Sequence, residues 1–309
     1  MKSQHRRALA LGASLLLLGA ALLMLGAGIG STGFESMLAA RHDPVAWQIV
    51  SDIRLPRTLG AWLAGALLGF AGAVAQGLFR NPLADPYLLG SASGASLGVA
   101  AALWMFGASP ASTQWVVRLG MTGAAFLGAV CAVMLTLLLA RGVQQTLRLL
   151  LAGVIVGVVL GALKDLITIA SADILQAIQG FMLGSTGLVG WSACAVMAGV
   201  GAVCLLFGWA LAPVLDGLAL ATGAAVAQTG LIAFVGLAAP HLVRSAVKTT
   251  HARLVLLSGA MGGLLLMAAD LLARWLIAPQ ELPVGVLTAV LGGTYLLWLM
   301  HRRSARGGL

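Results

Sequence analysis

The stretch that most constrains the fold is RLPRTLGAWLAGALLGFAGAVAQGLFRNPLADPYLLG, residues 54–90. Arg54, Pro56 and Arg57 open it, and an uncharged apolar run follows from Thr58 to Phe79. Arg80-Asn81-Pro82-Leu83-Ala84-Asp85-Pro86 breaks that run before a second apolar stretch begins near Leu88. About 20 consecutive apolar residues cross a bilayer as a helix, so the first run is long enough. In hydrocarbon every backbone N–H and C=O must be satisfied within the segment, which leaves a helix as the form of a single crossing run. The two prolines lack an N–H and disfavour helix in the residue before them, so the break is a tight non-helical turn. Backbone of that kind at membrane depth is tolerated only against protein or a water-filled cavity.

The rest of the chain repeats this pattern. Of 309 residues, 60% are hydrophobic and 9% charged, against about 25% charged in a soluble domain. That is too little polar cover for a water-soluble core and fits one multi-helix membrane bundle, a single domain over residues 1–309. The net charge of +9 lies at helix ends and loops, as the positive-inside rule expects. No basic run with interleaved aromatics points to nucleic acid. Cys131, Cys194 and Cys204 lie inside apolar runs without CxxC or Cys/His spacing and read as small apolar side chains. His42 is a lone loop histidine, and no metal site is expected.

Lys2, Arg6 and Arg7 precede an apolar run from Ala8 to Gly30, longer than the core of a cleaved signal peptide. It reads as a retained first helix with a cytoplasmic N-terminus. A polar outer connection is expected over Ser31–Asp52, then helices over Arg57–Phe79, Gly90–Gly107, Trp115–Ala140, Leu149–Ala170 and Trp191–Leu211. Gly65 and Gly69, then Gly90, Gly94 and Gly98, then Gly153, Gly157 and Gly161 are spaced by four, which lets neighbouring helices approach closely. Ser171–Gly190 reads as an outer segment. Gly217–Ala239 is a further apolar run ended by Pro240-His241-Leu242-Val243-Arg244, followed by a basic inner loop with Lys248, His251 and Arg253. Leu254–Leu276 and Val286–Met300 are the last helices, and His301, Arg302, Arg303 and Arg306 hold the C-terminus inside.

Several separate motifs in one order carry a family resemblance. Arg54-Leu55-Pro56-Arg57, Gln76, Asn81–Pro86 and Phe234-Val235-Gly236-Leu237-Ala238-Ala239-Pro240-His241 resemble the FecCD-type permeases. These are the membrane subunits of ABC importers for iron–siderophore complexes, haem and cobalamin. The likeness runs from near Gln48 to near Arg303. It implies an all-α polytopic bundle of about ten membrane segments of the type II ABC importer kind. It implies a permease moving a metal chelate, a ferric siderophore or haem first and cobalamin as the alternative, from periplasm to cytoplasm across the bacterial inner membrane. The implied partners are an ATP-binding cassette ATPase subunit, a periplasmic substrate-binding protein and a second permease copy around a central path, with no resident cofactor.

One departure stands out. Members of this family usually carry a further stretch between the sixth helix and the FVGL segment, including a cytoplasmic loop that grips the ATPase. Trp191 and Phe234 are too close to hold it, so segment 212–233 reads as shortened. If Gly217–Ala239 made a single crossing, the termini would fall on opposite sides of the membrane. Basic residues at both ends favour instead a distorted ten-segment arrangement.

No catalytic motif is present: there is no GxSxG, HExxH or GxxxxGK[ST]. If transport is ATP-driven, the ATPase is another chain. Arg54, Arg57 and Arg274 stand at outer helix ends, where headgroup snorkelling and pairing with acidic residues of a partner are both open. The resemblance implies the second, docking the binding protein. Asn81 and Leu83, with Gln145 and Thr146 before the fifth helix, have the chemistry of ordinary turns; the resemblance implies a cytoplasmic gate. Lys164 and Asp165 are adjacent opposite charges inside a predicted span, where charge marks a water path or reaches water near the helix end. Asp270 and Arg274, four apart, are placed to pair on one helix face. Two rival functions remain: an ion-coupled secondary transporter with Lys164 and Asp165 as relay, and a membrane protein that no longer transports because its ATPase coupling is impaired.

Overall fold

The computed structural model describes residues 2–30, 33–34, 42–106, 115–140, 146–210 and 214–307. The rod at its centre starts earlier than the apolar run suggests. The Asp43 side chain accepts the Val45 N–H at 2.9 Å and Pro44 takes the first turn, a cap that needs no apolar residue. Helix α2 (Pro44–Ile49) passes through a π turn over Val50–Arg54 into α3 (Leu55–Leu78), making one continuous helical segment. The polar connection expected over Ser31–Asp52 is therefore shorter, because Gln48, Ser51 and Asp52 are compatible with a helix already capped at Asp43. Before it, α1 (Lys2–Gly28) ends in a two-residue antiparallel pair, Ile29–Gly30 with Gly33–Phe34.

Eight helices follow: α4 (Ser91–Phe106), α5 (Trp115–Leu139), α6 (Thr146–Ala170), α7 (Leu175–Leu183), α8 (Trp191–Ala210), α9 (Val214–Thr229), α10 (Val235–Ala246) and α11 (His251–Trp275). The last, α12, runs Val284–Gly307 and carries the helix through the basic C-terminal residues, beyond the expected end at Met300. Helix α7 lies in the stretch Ser171–Gly190, read from sequence only as an outer segment.

The core forms around α3, whose Ala61, Ala64, Leu67, Leu68 and Ala71 are buried with Leu218, Ala221 and Ala225 of α9 and Leu266 of α11. Glycines decide how close the helices come. A Cβ on Gly65 would lie 2.3 Å from the Gly262 carbonyl oxygen, and one on Gly69 2.1 Å from that of Ser258. Helices α3 and α11 thus touch backbone to backbone, the packing that small residues allow where lipid removes any hydrophobic drive. Gly94 against Gly128 at 2.3 Å joins α4 to α5 in the same way, and Gly153 against the Leu88 carbonyl at 2.1 Å seats α6 on the turn after α3.

The segment read as shortened folds differently from the sequence expectation. Helix α9 starts at Val214, ahead of the apolar run expected from Gly217, and ends at Thr229, followed by Gly230 with φ +70°. A non-helical step follows, and Phe234, with φ +68°, caps α10. Pro240 and His241 then lie within α10 instead of ending the run before it. At about 1.5 Å per residue, the 16 residues of α9 and the 12 of α10 are both short. With α2–α3 counted as one, about ten segments run between two ends of the bundle, long and short alike relative to the ~30 Å core. Contacts set their direction. Gly26 packs on Thr58 near the start of α3, and Gly285 packs on Leu183 and Leu231. The end of α1 and the start of α12 therefore lie at the end that holds Arg57, and both helices extend from there toward the other end.

Candidate functional site

The three arginines come together at one end of the bundle, and all are buried. Arg54 turns inward on the π turn and donates to the Gly28 carbonyl at 3.4 Å, beneath Gly30, where a Cβ would lie 2.4 Å from its Nη2. Arg274, 1% exposed, pairs with Asp270 one helical turn away, as their spacing predicts. It also donates to Thr58 Oγ1 at 3.1 Å and to the Gly26 carbonyl at 3.3 Å. Arg57 bridges two carboxylates: Nη2 lies 3.1 Å from Asp270 Oδ1, and Nη1 lies 2.7 Å from Glu281 Oε2. Asp270 is fully buried and also accepts from the Thr186 hydroxyl. A buried carboxylate needs this many donors, since water cannot supply them. Snorkelling into headgroups does not describe these side chains.

At the opposite end, Asn81 Oδ1 accepts the Leu83 N–H at 2.9 Å in a turn where Asn81, Pro82 and Leu83 are exposed. This is the local bonding for which Asn is favoured in turns. Asp85 caps the following turn by accepting the Tyr87 N–H at 2.8 Å, and the Tyr87 hydroxyl donates to the Ile232 carbonyl at 3.1 Å. Burial pushes the Asp85 carboxyl up to about 6, against the partial relief of that Tyr87 hydrogen bond. Gln145 and the Thr146 side chain lie outside the described residues, although α6 begins at Thr146. Beside the turn, the buried Gln76 donates to the Leu237 carbonyl at 3.1 Å and accepts from Arg244, tying α3 to α10.

Lys164 and Asp165 do pair, at 2.7 Å, but unequally: the Lys164 side chain is 12% exposed and that of Asp165 64%. Lys164 also points at the Met182 sulfur, 3.5 Å away on α7. Between α10, α11 and α12 an apolar hollow of about 200 Å³ opens, lined by Phe234, Leu242, Leu265, Thr288 and Tyr295. No cluster of three or more metal-ligating side chains occurs among the described residues.

The model of the FecCD transport family matches residues 14–221 and 217–302. This chain belongs to the FecCD transport family. The two parts of the FecCD match meet inside α9. Among curated relatives, the hemin transport system permease protein HmuU of Yersinia pestis is 37% identical, over 91% of this chain and 92% of that protein. The vitamin B12 import system permease protein BtuC of Salmonella paratyphi A is 35% identical over 87% of each chain. In three dimensions the chain is similar to a protein described as a metal-chelate type ABC transporter in an inward-facing conformation. That match has a TM-score of 0.80 and 26% identity, and covers 94% of this chain and 98% of that one. The PsaBC complex of Streptococcus pneumoniae shares the fold alone, with a TM-score of 0.52 at 14% identity. As a FecCD member the chain is a multi-pass membrane permease of the ABC importer class, not a catalytic subunit.

Sequence reasoning foresaw the Asp270–Arg274 pair but missed that Arg57, Thr186 and Glu281 join it. These residues come from four different segments, and only the single i,i+4 spacing left a trace in the sequence. The Gln76–Arg244 link was equally invisible, since the two residues are 168 positions apart.

Proposed function

We propose that this chain is the permease subunit of an ATP-driven importer for a metal chelate, with haem or a ferric siderophore first and cobalamin second. The observation that carries the reading is 37% identity to a hemin permease over nearly the full length of both chains. The FecCD match and the similarity to a metal-chelate transporter support the same substrate class. A separate ATPase subunit, a periplasmic substrate-binding protein and a second copy of this chain complete the importer.

In this reading the arginine end faces the periplasm, and the turn end, with both termini, faces the cytoplasm. Arg6, Arg7, Arg80, Arg148, Lys248 and Arg253 all gather toward the turn end, which the positive-inside rule favours. Arg57, with Arg54 and Arg274 beneath it, receives acidic residues of the binding protein. Asn81 and Leu83, with Gln145 and Thr146, form the inner gate. Lys164 and Asp165 face the path near its outer mouth. The second copy covers α6, where Leu151, Ile155, Val158 and Leu166 remain exposed along one side. The two-part family match supports a shortened segment 212–233.

The test is uptake into vesicles holding this chain with its ATPase, supplied with the binding protein and labelled haem, ferric siderophore or cobalamin. ATP-dependent accumulation of one iron chelate is expected. Uptake that persists without the ATPase and collapses with the proton gradient would overturn the proposal in favour of an ion-coupled carrier.

A further inference from the structure

Arg57 divides its donors between two carboxylates of very different burial. Nε and Nη2 donate to Asp270 Oδ1 at 3.2 and 3.1 Å, whereas Nη1 donates to Glu281 Oε1 and Oε2 at 3.0 and 2.7 Å. Asp270 is sealed in, and it also holds Thr186 and Arg274. Glu281 sits on the exposed connection between α11 and α12, with its side chain 34% exposed. Its carboxylate takes the Nη1 side of the guanidinium and is the more exposed of the two carboxylates that Arg57 holds. Arg57 and Arg274 balance Asp270 and Glu281 in formal charge. If Glu281 swings away, one positive charge is left over on Arg57 and its Nη1 donors lose their partner. A guanidinium fork accepts any carboxylate in that geometry, so a carboxylate from another protein fits the same place.

We propose that Glu281 is an internal stand-in for the acidic side chain of the substrate-binding protein. It occupies Arg57 in the undocked permease and yields to the partner's carboxylate on docking. The proposal rests on the docking reading of Arg57. Asp270 keeps its remaining donors throughout the exchange, so the buried part of the network stays intact while only the exposed arm moves. The exchange also reaches the interior. Leu282, next to Glu281, donates to the Ala273 carbonyl at 3.1 Å, and Gly285 at the start of α12 donates to the Gly184 carbonyl at 3.3 Å. Movement of Glu281 therefore bears directly on the first turn of α12 and on the α7–α8 link. An internal competitor also speeds release of a spent partner, which a repeating transport cycle requires.

The experiment measures association and dissociation of the purified substrate-binding protein with the full-length permease and its ATPase in nanodiscs. Glu281→Gln is expected to tighten docking by about fivefold, mostly through slower dissociation, the range of a partly exposed ion pair. Glu281→Ala is expected to do the same. On an Arg57→Gln background, Glu281→Gln is expected to change nothing. If Arg57→Gln by itself leaves affinity unchanged, the docking reading falls whatever Glu281 does. If Arg57→Gln weakens docking while Glu281→Gln leaves it unchanged or weakens it, docking stands and the stand-in role is overturned. Equal tightening with and without Arg57 would assign the effect to surface charge and overturn it as well.

Discussion

Asp270 is the residue on which the arginine end depends, because it is the buried counter-charge of both Arg57 and Arg274. Removing one partner of a buried pair leaves an uncompensated charge, at a cost of about 3–5 kcal/mol. Asp270→Asn is therefore expected to lower stability by that amount in thermal unfolding of the detergent-solubilised chain, while Glu281→Gln stays within about 1 kcal/mol of the parent because Glu281 is partly hydrated. Asp85 makes a pH-dependent counterpart. Its carboxyl is raised from 3.8 to about 6, so the folded chain holds this proton more tightly than the unfolded one. Its contribution to stability is then greatest below pH 4, falls as pH rises from 4 to 6, and is flat above. Asp85→Asn can still accept the Tyr87 N–H. It is expected to stabilise the chain by about 1–2 kcal/mol at pH 7.5 and by nothing measurable at pH 4. A gain that is equal at both values would mean that the carboxyl does not titrate in this window. At Lys164 the exposure of Asp165 argues for a small effect: the pair is expected to contribute under about 1 kcal/mol, read from a double-mutant cycle on Lys164→Ala and Asp165→Ala.

At the scale of helices, glycine spacing was legible in the sequence and its partners were not. Gly65 and Gly69 meet Gly262 and Ser258 of α11, but Gly72, one turn on, meets the Gly236 carbonyl of α10, where a Cβ would lie 1.7 Å from the oxygen. That backbone contact has no flexible side chain to yield. Gly72→Ala is expected to cost about 3 kcal/mol through overpacking. Gly161 shares the same spacing on α6, yet a Cβ there meets nothing within 4 Å. Gly161→Ala is expected to leave the isolated chain as stable or stabilise it by up to about 1 kcal/mol through helix propensity. It is also expected to weaken self-association if a second copy packs on α6, which light scattering in detergent would show. Helix ends were harder to read than helix existence. Asp43 and Pro44 begin a helix within a stretch that looks polar, and α10 carries Pro240 in its interior, where the missing N–H leaves the Gly236 carbonyl without its i→i−4 donor.

At the scale of the molecule, α8 ends at Ala210 and α9 begins at Val214, and on the proposed reading so short a connection leaves little inner loop to grip an ATPase. Exposed Arg148, Lys248 and Arg253 remain on that end, and a grip built on such charges weakens as salt screens it. The expected outcome in reconstituted vesicles is ATP hydrolysis that responds little to loaded binding protein and assembly that loosens with ionic strength. Strong stimulation at physiological salt would show that the loop is dispensable. What the sequence by itself determined is the class of molecule: long uncharged runs admit only helices in a bilayer, and the ordered motifs from Arg54 to His241 name the permease family. Which charges neutralise one another across helices was decided only by the tertiary structure. Arg57 meets Asp270 across 213 positions and Glu281 across 224. Such pairings carry no periodicity along the chain; they follow from how closely glycine lets α3 and α11 approach, and that distance exists only in the folded bundle.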